Sequence, residues 1–241
     1  MLTKSQIKLI ASLSQKKFRN QHQLFVVEGK KGIVEFLESS FELYHLFSTA
    51  ADFNLKNTQF TLVTEPELKK ISNLKTPNAA LALFRMPKTK AVELSGHILA
   101  LDDVRDPGNL GTIIRLCDWF GIGHLVCSST TVDCFNPKVV QATMGSLTRV
   151  SIHYLDLEGF LKTSKVPKFG AFMEGANVYD HVLPRSSILV LGNEANGISS
   201  TIETLIDKKI SIPRFGNLQA TESLNVATAA AILLSEFRRR D

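Results

Sequence analysis

The sequence predicts an α/β protein in two parts: a small α/β unit, then a larger one built on a mostly parallel sheet with helices on both faces. Three observations carry the prediction. Short apolar runs recur along the chain, separated by stretches with helical spacing or helix-start signals, which is how buried parallel strands alternate with covering helices. A polar stretch, Met86–Gly96, containing Pro87 and Gly96, interrupts the alternation and reads as a linker. The charge also changes across it: residues 1–90 hold 14 basic and 7 acidic side chains (+7), whereas 91–241 hold 14 and 16 (−2). The net charge of +5 over 241 residues is therefore an average of two unlike parts, and we place the domains at 1–90 and 91–241.

In the first part, Thr3–Arg19 reads as one amphipathic helix, with Ile7, Ile10, Ala11 and Leu13 on one face and lysines elsewhere. Leu24–Val27 follows as a strand, Gly32–Leu37 as a helix, and Leu43–Ser48 and Phe60–Val63 as strands. The helix between Thr64 and Leu74 has explicit start signals: Thr64 as cap, Pro66 in the first turn and Glu67 to complete a capping box. Ala80–Phe84 is the last strand of this part. The second part alternates Ile98–Leu101, a helix through Gly111–Phe120, His124–Cys127, a helix near Pro137–Met144, and Val150–His153. Strands at Phe169–Met173, Ile188–Leu191 and Lys209–Ile212 continue it, with a helix starting around Ile198 and a long final helix over Ser223–Arg239.

Composition excludes several classes. With 44% hydrophobic and 21% charged residues the chain is neither disordered nor a disulfide scaffold. No apolar run approaches the roughly 20 residues of a membrane span, and Met1–Ile10 has no apolar signal core behind it. Cys117, Cys127 and Cys134 are odd in number and form no C-x-x-C pair, so we expect free thiols in a reduced cytoplasmic protein, with no structural metal and no membrane. No G-x-G-x-x-G follows any strand. Gly170 and Gly175 have P-loop spacing, but Ala176 and Asn177 stand where Lys and Ser or Thr would hold phosphate and magnesium, and H-E-x-x-H is absent. Met1–Lys31 holds Lys4, Lys8, Lys16, Lys17, Arg19, Lys30 and Lys31 against Glu28 alone. That is the footprint of a surface meeting a polyanion, although a solvated helix face has the same composition.

Polar residues concentrate in three strand-to-helix loops. Asp106–Arg115 has Pro107, Gly108 and Gly111 to shape a tight turn, with Arg115 one helical turn beyond Gly111; Arg115 alone would equally be a solvated helical arginine, and Asn109 a cap. Leu191-Gly192-Asn193-Glu194-Ala195-Asn196-Gly197 has two glycines that permit close backbone approach and a carboxylate near a helix N-terminus, where it would also simply complement the dipole. The third loop opens with Ile210–Pro213 and closes with Glu222–Ala227, where Ser223 and Asn225 are natural cap residues. Together they form a crevice at the carboxyl ends of strands, where open α/β sheets bind ligands.

In order along the chain stand Asn109-x-Gly111-x-x-x-Arg115, then Gly192-x-Glu194-x-x-Gly197, then Ile212-Pro213 followed by Ser223-Leu224-Asn225. This ordered triple, spread over residues 99–240, resembles the three motifs of the SpoU (TrmH-like) family of RNA ribose 2′-O-methyltransferases. The N-terminal part resembles the small substrate-binding domain many members carry. The resemblance implies a SPOUT-type α/β fold with its C-terminal segment threaded into a trefoil knot, a homodimer through the knotted domain, and S-adenosylmethionine as cofactor. It implies cofactor contacts at Leu191, Gly192, Asn193, Gly197, Ile212 and Leu224, with Gln141–Leu147 nearby. It also implies a catalytic set of Arg115, Asn109, Glu194, Ser223 and Asn225. On this reading Asn109, Ser223 and Asn225 orient the ribose and hold Arg115, while Glu194 fixes its loop or pairs with a basic group. The basic N-terminal part then holds RNA through Lys16, Lys17, Arg19 and Lys30, with Arg115 also on the substrate. The chain departs from the pattern in its long segment Arg214–Glu222 and in Arg214 itself, where many members carry an apolar residue. Ribosomal RNA is the expected substrate. Transfer RNA is the alternative within the class, and a non-catalytic RNA-binding or ribosome-assembly protein the alternative outside it.

Overall fold

The computed structural model describes residues 2–53, 57–88, 91–216 and 223–239. Its first elements are α1 (Lys4–Ser12), α2 (Lys16–His22), β1 (Leu24–Glu28), α3 (Lys30–Leu37), β2 (Leu43–Ser48), β3 (Phe60–Leu62), α4 (Glu65–Ile71) and β4 (Ala80–Arg85). There follow β5 (His97–Leu101), α5 (Pro107–Trp119), β6 (His124–Ser128), α6 (Pro137–Thr143), β7 (Ser151–Leu155), α7 (Leu157–Thr163), β8 (Lys168–Asn177), β9 (Ser187–Leu191), α8 (Ser200–Glu203), β10 (Lys208–Ser211) and α9 (Val226–Arg238). Two compact units result: Met1–Lys88 with Asp133–Thr148, and Thr89–Val132 with Arg149–Asp241.

The first unit holds a four-stranded sheet in the order β1-β4-β2-β3, antiparallel except for the β2–β3 pair. One face is closed by Ile10 and Leu13 of the first helical stretch and by Leu68 and Ile71 of α4 over Leu24, Val26, Phe47, Leu81 and Leu83. Elsewhere in the unit Phe25 meets Phe36, Phe84 and Phe135, the last with ring centroids 4.6 Å apart. Thr64 and Glu67 make the expected capping box. The single helix expected over Thr3–Arg19 is instead two. The hydroxyls of Ser12 and Ser14 donate to the carbonyls of Leu9 and Ala11 at 2.6 and 2.8 Å, and Gln15 is extended before α2 starts. Such local side-chain bonds compete with helix continuation. Arg19 then donates from Nη1 to the carbonyls of Leu13 and Ser14, both at 2.9 Å, supplying partners to groups left open where α1 stops.

The second unit is a six-stranded, wholly parallel sheet in the order β10-β8-β9-β5-β6-β7, the α/β architecture expected from the alternation. From β5 the chain steps outward to β6 and β7, then returns to the other side for β8, β9 and β10. The strand order therefore reverses between β5 and β9. On one face α7 and α8 bring Leu157, Leu161 and Ile202 over Ile98, Ala100, Val126, Ile188 and Val190. On the other, α9 packs with α5 and sets Phe237 edge-on to His97 and Phe169. Two helix starts and one whole helix differ from expectation. Helix α5 starts at Pro107 because Asp106, not Asn109, is its cap, and α9 starts at Val226 behind Asn225. Helix α7, seven residues long with Gly159 in its first turn, is the unexpected one, because it is too short to show a helical period in the sequence.

Candidate active site

The switch between β5 and β9 places the loops that follow them side by side, since Leu101 pairs with Leu191 at the strand ends. The backbone N–H of Asp102 donates to the Leu191 carbonyl at 2.9 Å, extending the pairing by one residue. The buried Asp102 carboxylate accepts from the N–H of Ser199 at 2.8 Å, which ties the far end of the second loop to the first. Asn193 works between them. Its Nδ2 donates to the Asp103 carbonyl at 2.7 Å, its Oδ1 accepts from the N–H groups of Ala195 and Asn196, and its backbone exchanges two 2.9 Å bonds with Gly197. This closed turn demands its glycines. Gly197 has φ of +69°, and a Cβ on Gly192 would fall 2.1 Å from the carbonyl carbon of Gly197. The Arg105 guanidinium bonded to Asp103 holds that carboxyl below its ordinary range.

Above this base, the three loops are joined by a chain of side-chain hydrogen bonds. Asp106 caps α5 by accepting from the N–H of Asn109 at 2.7 Å, setting Asn109 in the first turn. Asn109 Nδ2 donates to Glu194 Oε1 at 2.8 Å, and Asn225 Nδ2 donates to Asn109 Oδ1 at 2.9 Å. Asn225 Oδ1 in turn accepts from the N–H groups of Ala227 and Thr228, so the same side chain caps α9 and reaches α5. Asn109, Glu194 and Asn225, picked from separate motifs, are thus one connected group. Among the described residues Glu194 is bonded to an amide and to no basic group.

Arg115 lies further along α5 on the exposed stripe Gly108, Thr112, Arg115, Trp119, and none of the described residues bonds or ion-pairs with it. The expectation that Asn109, Ser223 and Asn225 hold it is not met by any hydrogen bond among them. Ser223 is exposed ahead of the α9 cap, and Leu224 beside it is 46% exposed. Ile212 is half-buried just past the end of β10, while Leu191 is buried in the sheet with its carbonyl already taken by Asp102. Gln141–Leu147 belongs to the first unit, where α6 ends in Met144 with φ of 49°. Residues Asn217–Glu222 of the long segment, and Arg240 at the end of the motif span, lie outside the described residues.

Among the basic candidates, Lys16 and Lys17 are exposed at the start of α2, and Lys30 is an exposed partner of Asp52. Arg19 is a correction. It is 2% exposed, its Nε and Nη2 both donate to Asp133 Oδ2, at 3.0 and 2.5 Å, and its Nη1 closes the α1–α2 turn, so it is not a surface cation offered to phosphate. Sequence reasoning missed Asp102. Its one signal was an acid directly after an apolar strand, which also describes the neighbouring Asp103.

A polar group assembled from three loops, over the strand ends at a point where strand order reverses, defines a ligand-binding α/β protein. Family comparison makes it specific. Residues 96–235 match the model of the SpoU rRNA Methylase family, and residues 4–82 that of the MRM3-like substrate binding domain. The chain belongs to the SpoU rRNA methylase family. It is 30% identical to the Bacillus subtilis 23S rRNA (guanosine(2553)-2′-O)-methyltransferase RlmP, across 94% of this chain and 93% of that protein. Among solved structures it resembles a TrmH-family RNA methyltransferase from Porphyromonas gingivalis (40% identity, TM-score 0.92, all of both chains covered). It also resembles an AdoMet-bound rRNA methyltransferase from Sinorhizobium meliloti (28% identity, TM-score 0.88, covering 100% of this chain and 96% of that one). No helix among the described residues is long and apolar enough to cross a membrane.

Proposed function

We propose that the protein transfers a methyl group from S-adenosylmethionine to the 2′-hydroxyl of a ribose in ribosomal RNA. The observation that carries this reading is the hydrogen-bonded group Glu194–Asn109–Asn225, whose Asn109 lies on the helix that also bears Arg115, exposed and without a partner among the described residues. The substrate class follows the names of its relatives. The cofactor positions suit an adenosine-bearing sulfonium. The loop after β9 is bare backbone at Gly192 and Gly197, and the apolar Leu224 stands half exposed ahead of α9. Leu191, Gly192, Asn193, Gly197, Ile212 and Leu224 would hold it. When bound, S-adenosylmethionine supplies an electrophilic methyl group on sulfur.

The chain's own task is alignment and charge stabilisation, because an in-line displacement needs the two reactants held on one axis. Arg115 is permanently protonated and is no general base. It stabilises the charge that develops on the ribose oxygen and clamps the adjacent phosphate, which accepts the hydroxyl's proton. Asn109, Glu194 and Asn225 lock the start of α5 to the second loop and to the start of α9, so that Arg115 is presented from a fixed helix; Ser223 contacts the ribose. Replacing Arg115 with Ala lowers methyl transfer by about 10²–10³-fold, the usual effect of losing one preorganised charge donor, while S-adenosylmethionine binding persists. Mapping of ribose methylation in ribosomal RNA from cells lacking the protein, complemented by either form, checks it. Full restoration by Arg115→Ala sinks the assignment, and an unchanged ribosomal map moves the substrate to transfer RNA.

The division of labour we assign is RNA holding by 1–90 and chemistry by 91–241. We also assign a C-terminal trefoil knot and a homodimer through the knotted domain. The placing of β10 at one sheet edge while α9 returns to α5 supports threading, and a crystallographic trace from Pro213 to Ser223 tests it. Trp119, 84% exposed on the Arg115 stripe, supports the dimer, since large aromatics are concentrated at interface centres. Trp119→Glu yields monomers in sedimentation experiments; an undisturbed dimer moves the interface elsewhere.

A further inference from the structure

The first unit carries a cavity lined by none of the candidate catalytic or cofactor residues. It has a volume of about 270 Å³, and its floor is made by Ile10 of α1, Phe47 of β2 and Leu83 of β4, all buried. Tyr44, His45 and Thr58 also line it. In a regular strand, Tyr44 and His45 would point to opposite faces. Here the pairing of β2 with β4 slips between Leu43 and His45, and such a bulge re-aims the side chains it contains. Both rings consequently line the same space.

The polar groups are few and already oriented. His45 Nε2 shares a 2.8 Å hydrogen bond with Thr61 Oγ1, and burial pushes the imidazole pKa down, favouring the neutral ring with one donor and one acceptor nitrogen. Gln6, also in the lining, accepts from the N–H and the hydroxyl of Thr3 through Oε1, both at 2.9 Å, which leaves its amide nitrogen as a donor. Tyr44 is 42% exposed and carries the Arg85 guanidinium 5.4 Å from its ring centroid, with Arg85 itself held by Glu42. An apolar floor, aromatic walls with a cation against one of them, and a few edge donors and acceptors suit a flat heteroaromatic ring. A cavity of about 150 Å³ accommodates benzene, so this one has room for a fused two-ring base. The +7 carried by residues 1–90 says that the ring arrives on a polyanion. Single-stranded RNA is recognised in this way, by stacking unpaired bases on aromatic and arginine planes.

We infer that this cavity is a subsite for one unpaired nucleobase of the RNA substrate, stacked on Tyr44 and bonded at its edge by His45, Gln6 or Thr58. The inference rests on the reading of the chain as an RNA methyltransferase and adds to it a place where base identity is read away from the reacting ribose. The probe is a short single-stranded RNA carrying 4-thiouridine, bound to the full chain and irradiated; cross-links fall on the peptide containing Tyr44 and His45. Tyr44→Ala weakens binding about five- to a hundred-fold, the range for loss of one base–aromatic stack, with the salt dependence of binding unchanged. Tyr44→Phe, which keeps the stacking face, binds like the unmodified protein. Cross-links confined to other peptides, affinity of Tyr44→Ala equal to that of the unmodified protein, or a fall in salt slope matching the fall in affinity each overturn the subsite. In those cases methylation of ribosomal RNA by the unmodified protein leaves the functional reading standing. An unmodified protein that neither binds nor methylates RNA removes both.

Discussion

Arg19 and Arg115 carry the same charge into opposite roles. Arg19 is enclosed, with its guanidinium spent on Asp133 and on two carbonyls at the α1–α2 turn. Removing one partner of a buried pair strands the other's charge, so Arg19→Ala or Asp133→Ala destabilises the first unit by about 3–5 kcal/mol, read as a lowered denaturant midpoint. A loss of a few tenths of a kcal/mol, typical of a surface pair, would show the enclosure to be wrong. Arg115, by contrast, stands on an exposed stripe with no described partner. Nothing in the sequence separates the two arginines by composition, because Asp133 lies 114 positions from Arg19. Arg115 was legible only because Asn109 and Gly111 stand before it at motif spacing. Asp102, which ties the Ser199 N–H to the strand end, had no such spacing to reveal it.

Among the elements, the loop Gly192–Ser199 shows how tightly backbone geometry is committed. Asn193 closes it against Gly197 and against Asp103, and Asp102 anchors its far end. The missing Cβ at Gly192 is a steric requirement, since the atoms that side chain would meet are backbone atoms of Gly197 and Ile198. Gly192→Ala therefore displaces the loop. We expect S-adenosylmethionine affinity to fall by about five- to 150-fold in calorimetry, because overpacking of this kind costs about 1–3 kcal/mol, with the unfolding transition still cooperative. Affinity within error of the unmodified protein would show that the loop relaxes freely. Strands were the most legible elements, since runs such as Ile188–Leu191 are apolar on both faces of a doubly covered sheet. Helix ends were less so. Asp106, Asn109, Ser223 and Asn225 are all natural caps by residue type, and only the hydrogen bonds made by Asp106 and Asn225 decide between them.

For the molecule as a whole, the charge asymmetry acquires an address. Lys16 and Lys17 begin α2 in the open, while Arg19 two residues later points into the fold. Reversing the charge of Lys16 and Lys17 together weakens RNA binding and flattens its salt dependence by roughly 0.7–0.9 for each phosphate no longer neutralised, with cofactor affinity untouched. An unaltered slope takes α2 out of the RNA interface. The segment Asp133–Thr148 sits with the first unit although it comes after β6 of the second, held by Asp133 on Arg19 and Phe135 on Phe25. A boundary drawn along the sequence has no means of finding such an excursion, because the residues that hold it are more than a hundred positions away.

By itself the sequence determined the alternation of strands and helices, the parallel sheet, the capping box at Thr64 and the three motifs that mark the family. Each of these is written in local spacing, in the 2- and 3.6-residue periods and in short polar signatures. Only the tertiary structure decided that α1 and α2 are separate, that Arg19 is enclosed, that Asn109 joins Glu194 to Asn225, and that a bulge turns Tyr44 and His45 into one cavity. The reason is physical. Those outcomes depend on which distant groups satisfy a hydrogen bond or fill a space, and that is settled by the packing of the chain and not by its neighbours in sequence.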